Sequence, residues 1–215
     1  MAIQIQGNGG VVADVDATGY RALKVTLRPT DPTTLGSYGI GLNSGIMAAG
    51  LAANAPIFSF RWGDATRLAV VHRVTFGMHI GGTAFTAGAA DFRLVVARSF
   101  TASDSAGTAA VLTGNNAKLR TSFGTTLLTD CRISATVTLT AGTRTLDSQG
   151  IANLGSGVGA TAGIQVVGPG SEFIGYTQHP VVLAQNEGLV ILATVPALGT
   201  WACGVGIQWT EVTAY

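Results

Sequence analysis

Several short runs of this chain alternate between apolar and polar side chains, and that period of two predicts strands. Over residues 20–28, Leu23, Val25 and Leu27 share one face, opposite Lys24, Thr26 and Arg28. Phe58, Phe60 and Trp62 alternate with Ser59 and Arg61, and Phe92, Leu94 and Val96 oppose Arg93, Val95 and Ala97. Strict alternation over 68–76 puts Leu68, Val70, His72, Val74 and Phe76 on one face. The most regular run is 131–139, where Ile133, Ala135, Val137 and Leu139 alternate with Arg132, Ser134, Thr136 and Thr138. Near the end, Trp201, Cys203, Val205, Ile207 and Trp209 form a single stripe, which a strand would turn toward one buried face.

Clusters of Gly, Asn, Asp, Ser and Pro separate these runs, as at 28–37, 102–107, 113–116 and 184–188, and they read as turns. Helical patterning is nearly missing. The best candidate is 45–56, which has room for about two turns before Pro56 stops it and reads as a short helix or an irregular excursion. Strands without helices between them exclude a parallel βαβ design. The pattern predicts an all-β, antiparallel β-sandwich with a jelly roll as the leading architecture. Residues 1–19 read as a flexible N-terminal arm and 20–215 as the sandwich domain. Residues 148–171 carry no charge and read as a long glycine-rich loop, flexible or ordered by a neighbouring subunit.

Composition then narrows the function. Charged residues make up 11% of the chain and the formal net charge is +1, against about a quarter charged in an average domain. Arginine outnumbers lysine ten to two, with no basic block, so the electrostatic footprint of a nucleic-acid binder is missing. Mean hydropathy is +0.41. So apolar an exterior points to contact with other proteins, and arginine is the cation such interfaces favour. The first residues carry no secretory pattern. The 23 uncharged residues between Glu187 and Glu211 could span a bilayer by length, but Pro196, Gly199, Gly204 and Gly206 interrupt them. Two strands joined by a turn fit them better.

No motif selects a catalytic centre: Walker, dinucleotide, HExxH and GxSxG patterns are all missing. His72 reads as a hydrogen-bonded core residue on an apolar face, and His179, before Pro180, as the start of a strand; His79 is the third histidine. Asp14 and Asp16 read as a solvated turn, since calcium needs six to eight oxygens. Glu172, Glu187 and Glu211 are the only glutamates, and no spacing pairs them for glycoside hydrolysis. Trp62, Trp201 and Trp209 read as core, with an exposed sugar platform as the sharper alternative. Cys131 and Cys203 read as buried thiols, with a disulfide as the alternative.

Six segments together carry a resemblance: TGYRALKVTLRP, YGIGLNSGIMAAGLAANAPIFSFRW, RLAVVHRVTF, FTAGAADFRLVVARSFT, GTAAVLTGNNAKLRTSF and HPVVLAQNEGLVILATVPALGTW. From about Tyr20 to Trp209 the chain resembles a family of tailed-bacteriophage virion structural proteins. The resemblance implies a β-sandwich particle component present in many copies, and brings no catalytic residues. The resulting expectation is a capsid decoration or cement protein, located in the virion and assembled in the host cytoplasm. It is expected to be no enzyme and to need no cofactor or metal. Its expected partners are copies of itself as a homotrimer and the major capsid protein or other virion proteins, with no nucleic acid and no membrane. A glycan-binding, host-recognition module on a tail or fibre is the alternative, and a glycan-cleaving hydrolase a more distant one.

Overall fold

The computed structural model describes residues 36–48, 50–158, 171–175 and 179–215. The arm over 1–19, the strand expected over 20–28, Asp14, Asp16 and residues 159–170 lie outside them. Thirteen strands and no helix occur among the described residues. They are β1 (Ser37–Asn43), β2 (Met47–Ala48), β3 (Ala55–Trp62), β4 (Leu68–Ile80), β5 (Gly88–Arg98), β6 (Thr108–Ala109) and β7 (Asp130–Ile133). There follow β8 (Thr145–Leu146), β9 (Ala152–Val158), β10 (Ser171–Ile174), β11 (Val181–Leu183), β12 (Glu187–Thr194) and β13 (Thr200–Val212).

Two antiparallel sheets pack face to face as a β-sandwich. The first runs β1–β13–β4–β10, with β2 also on β13 and β11 also on β4. The second runs β6–β7–β3–β12–β5–β8, with β9 also on β5. Four of the pairings are nested, β1 with β13, β3 with β12, β4 with β10 and β5 with β9, while β4 also pairs along its length with β13 and β5 with β12. The 23-residue uncharged run is divided between β12 in the second sheet and β13 in the first, joined by a turn as the sequence predicts.

The core lies between the sheets. All five side chains of the β13 stripe face it, as do Phe58, Phe60 and Trp62 of β3 and Phe92, Leu94 and Val96 of β5. Aromatic contacts lock the layers at both ends of β13. Phe60 meets Trp209 edge-on at 5.2 Å, and Phe92 lies 5.8 Å from Trp201 and 4.4 Å from Phe76. Such pairs add about 0.5–1.5 kcal/mol each beyond the area they bury.

Three sequence readings need correction. On β4, Val71 pairs with Trp209 but Arg73 pairs with Gln208, so His72 is an extra residue in a β-bulge. The bulge reverses the phase of the strand. Ala69 and Val71 face the core before it, and Val74, Phe76 and Met78 after it. Leu68, Val70 and His72 thus lie on the opposite face from Val74 and Phe76. Second, the regular run at 131–139 is a strand only to Ile133. Beyond Ser134 the chain bends outward and leaves Val137 58% exposed, before Leu139 returns to the core with its amide on the Pro56 carbonyl. The Ala135 carbonyl packs on Gly45, where any Cβ would collide with it. Third, the first half of the glycine-rich segment is not a loop. It forms β9, whose residues Ala152 to Val158 pair with Leu94 to Gly88. The 45–56 segment resolves as the irregular excursion, carrying β2 and entering β3 at Ala55.

The second sheet is covered on both faces, which is why β12 is buried at all six central positions and reads as a continuous apolar run. Val95, Ala97, Phe100, Val190 and Leu192 form a smaller cluster on its outer side, with Leu146 against it. Residues 99–106 and 140–147 lie over this cluster and exchange backbone hydrogen bonds, including Ser105 with Thr140 in both directions at 2.9 and 3.0 Å.

If the aromatic stripe closes the sandwich, Trp209→Ala should cost about 3–5 kcal/mol in denaturant unfolding. Val137→Ser, in the bend beyond β7, should stay within about 0.5 kcal/mol.

Candidate functional site

Candidate chemistry falls in three places: a buried carboxylate cluster at the end of β13, a buried ion pair on the outer side of the second sheet, and a groove on the outer face of the first. Glu211 follows Trp209 by two residues, so alternation turns its side chain inward, and it is fully buried. Its Oε1 accepts hydrogen bonds from Thr126 Oγ1 at 2.6 Å and the Leu127 amide at 2.9 Å, and Arg67 Nη1 lies 3.5 Å from Oε2. Arg67 is placed by an Asx turn: Asp64 Oδ1 accepts from the Thr66 and Arg67 amides, each at 2.8 Å. The Arg67 carbonyl accepts from the Trp62 indole at 2.9 Å. Tyr38 donates to the Gly124 carbonyl at 3.1 Å, so the same cluster pins residues 124–128 from both sides.

Burial pushes the Glu211 carboxyl above its ordinary value, against the opposing pull of its hydrogen bonds and Arg67. Burial, and then the nearby Glu211 charge, push Tyr38 up to about 12. Its visible work is to anchor residues 124–128.

The ion pair joins Asp104 and Arg144, with Asp104 Oδ1 2.9 Å from Arg144 Nε and side-chain exposures of 0% and 3%. Asp104 Oδ1 also accepts from the Gly142 amide at 2.9 Å, and Arg144 lies over the Phe100 ring at 5.4 Å. Position 142 takes only glycine, because a Cβ there would strike the carbonyls of Ala102 and Ser103. From below, Arg61 donates to the carbonyls of Phe100 and Thr101 at 2.7 and 2.6 Å and to Ser103 Oγ at 3.1 Å. The pair therefore fastens the 99–106 and 140–147 cover to the sheet. Neither its residues nor their contact was visible in the sequence, since the partners are 40 positions apart and match no motif.

On the first sheet, the outward positions of β1, β13 and β4 are rich in glycine. Gly41 pairs with Gly206, and Gly204 pairs with Gly77. At Gly41 and Gly77 a Cβ would meet nothing within 4 Å, so internal packing does not demand glycine there. Beside them is a groove of about 340 Å³, bounded by Arg73, Thr75, Leu119 and Gln208. Arg73 is ion-paired with Glu172 at 2.6 Å on this face.

The remaining candidates disperse. The three glutamates go to three different ion pairs: Glu172 to Arg73, Glu187 to Arg98 and Glu211 to Arg67. His72 is half-buried, is hydrogen-bonded to Thr210 Oγ1 at 2.9 Å, and has its value lowered by burial. His79 is exposed on β4, and His179 precedes β11 with its ring edge-on to Tyr215 at 5.8 Å. All three tryptophans are core residues, with exposures of 0%, 0% and 1%. Cys131 and Cys203 are free and buried in different sheets; burial raises both thiols, Cys203 to about 12. Among the described residues no three of His, Cys, Asp and Glu converge to hold a metal, and no helix is long and apolar enough to cross a membrane. No protein-family model, curated protein or solved structure matches the chain.

The folded chain holds the Glu211 proton more tightly than the unfolded chain does. Stability from this group is therefore complete below the ordinary carboxylate range and is lost as pH rises through the raised value. Lowering the pH from 7 toward 4 should stabilise the native chain relative to Glu211→Gln, measured by denaturant unfolding across pH; parallel curves would mean an unshifted carboxylate. For the ion pair, Asp104→Ala should cost about 3–5 kcal/mol by leaving a buried guanidinium unpaired, and Asp104→Ala with Arg144→Met should recover part of that loss.

Proposed function

We propose that this chain is a structural component of a virus particle, of tailed-bacteriophage type, that works by self-association rather than by catalysis. The observation that carries the reading is the strand order. Nested pairing of β1 with β13, β3 with β12, β4 with β10 and β5 with β9 is what results when a single antiparallel ribbon is rolled into two facing sheets. We take this as a jelly roll, an architecture used by viral shell proteins and by lectins.

Fold alone does not choose between those uses. The burial of Trp62, Trp201 and Trp209 favours the shell, because a sugar platform needs an aromatic face in solvent. The low charge and high hydropathy of the chain support a surface meant to be covered. Within this reading the particular role is capsid decoration or cement, as a homotrimer seated on the major capsid protein, the mechanism being passive burial of surface between rigid subunits. A tail- or fibre-associated glycan-binding module is the rival that shares the fold.

Light scattering on the purified chain at micromolar concentration should give the mass of a trimer, and glycan arrays should stay blank. A monodisperse monomer would contradict self-association, and saturable binding to a defined glycan would move the protein to the recognition class.

A further inference from the structure

Among the described residues, ionisable side chains are distributed unevenly between the two ends of the sandwich. At one end lie Asp64, Arg67, Arg98, Asp130, Asp147 and Glu187. The described part of the other end includes residues 44–48, 50–54, 81–90, 134–140 and 195–200, and none of these segments contains Asp, Glu, Lys, Arg or His. Their contacts bring them together. Ala48 pairs with Thr200, and the Thr200 carbonyl accepts from the Gly81 amide at 2.6 Å. The Thr200 amide donates to the Thr83 carbonyl at 3.0 Å, and Thr86 Oγ1 donates to the Ala197 carbonyl. The Asn54 amide donates to Thr194 Oγ1 at 3.0 Å, and Gly45 packs on the Ala135 carbonyl. Among the described residues, His79, Asp91 and Arg93 sit on the strands below this end, and Arg93 is tied to Asn54 Oδ1 at 2.8 Å.

This charge-free end also displays large apolar side chains. Leu198 is 70% exposed, Ile46 64% and Val137 58%. Leu198 holds φ at 62°, a left-handed conformation that costs an L-residue roughly 1–2 kcal/mol. Leu198 thus holds an apolar side chain mostly in solvent at a conformational cost. Strain of this kind at an exposed tip points to function.

The geometry points to this end as the surface through which copies of the chain pack against one another, an inference that rests on the self-associating role proposed above. The occupant is argued from charge. Copies related by symmetry present the same groups to each other, so any charge near the axis meets its like. Both outer sheet faces and the opposite end carry ionised side chains, as at Arg73 and Glu172 or Arg98 and Glu187, whereas the described segments of this end have none to repel a copy. Alanine, glycine and threonine predominate in its loops, giving a low-relief surface that permits close approach of backbones. A lipid surface fits less well: the loops carry no Lys or Arg for headgroups, and their aromatic residue, Phe85, is buried.

Sedimentation of the full chain with Leu198→Asp and, separately, Ile46→Asp tests this. Aspartate tolerates a left-handed φ better than leucine, so Leu198→Asp should keep the native unfolding midpoint. Each substitution should weaken self-association by about tenfold or more, and Val111→Asp, at another exposed apolar position, should leave it unchanged. A native oligomer that both tip variants retain would overturn the placement while leaving the self-associating role standing. A native chain that is monomeric throughout would sink that role and this placement with it. Binding of the native chain to phosphatidylcholine vesicles, lost in Leu198→Asp with the oligomer intact, would reassign the end to lipid.

Discussion

The sandwich depends on β13. It is central in the first sheet, pairing with both β1 and β4, and its inward stripe carries two of the three tryptophans. Trp201 near one end and Trp209 near the other each meet a phenylalanine of the opposing sheet, Phe92 and Phe60. These contacts fix the layers at two separated points, so neither sheet can slide or rotate without losing one. The His72 bulge follows from the same demand. Trp209 pairs with Val71, whereas the residues from Trp201 to Gln208 pair in steady register with Ile80 to Arg73, and one extra residue on β4 reconciles the two stretches while keeping core residues inward on both sides.

The buried charges are consequences of this frame. Continuing the β13 alternation past Trp209 forces Glu211 inside, and residues 124–128 come over the end of the strand to supply its hydrogen bonds. The second sheet is apolar on both faces and needs a cover. Two irregular segments provide it, held by Arg61 and by the Asp104–Arg144 pair. The first sheet has glycine where the second has valine and leucine, and its outer face remains a shallow groove. Buried ionisable groups here serve loop attachment.

Much of this frame was legible in the sequence. Alternation located β3, β5 and β13 and put all three tryptophans in the core, because strands with one face on the core impose a period of two. What failed were the places where a tertiary contact overrides local pattern. Ile133 to Leu139 alternates well, yet the Ala135 backbone is drawn against Gly45 and the strand ends early. Periodicity could not reveal an inserted residue at His72, since a bulge is set by the partner strand. Glycine and the lack of charge hid β9, whose strand character comes from the edge of β5 rather than from its own side chains. The Asp104–Arg144 pair joins two turn-like segments, and no local signal predicts which turns will meet.

The fold of the chain relies on the aromatic seal between its two sheets. That seal can be probed directly by amide hydrogen exchange on the intact chain. Amides in β12, β13 and the middle of β4 should exchange slowest, at the free energy of global unfolding, while 99–106 and 135–147 open earlier. Exchange of residues 187–212 as fast as that of the loops would contradict a sandwich closed by β13.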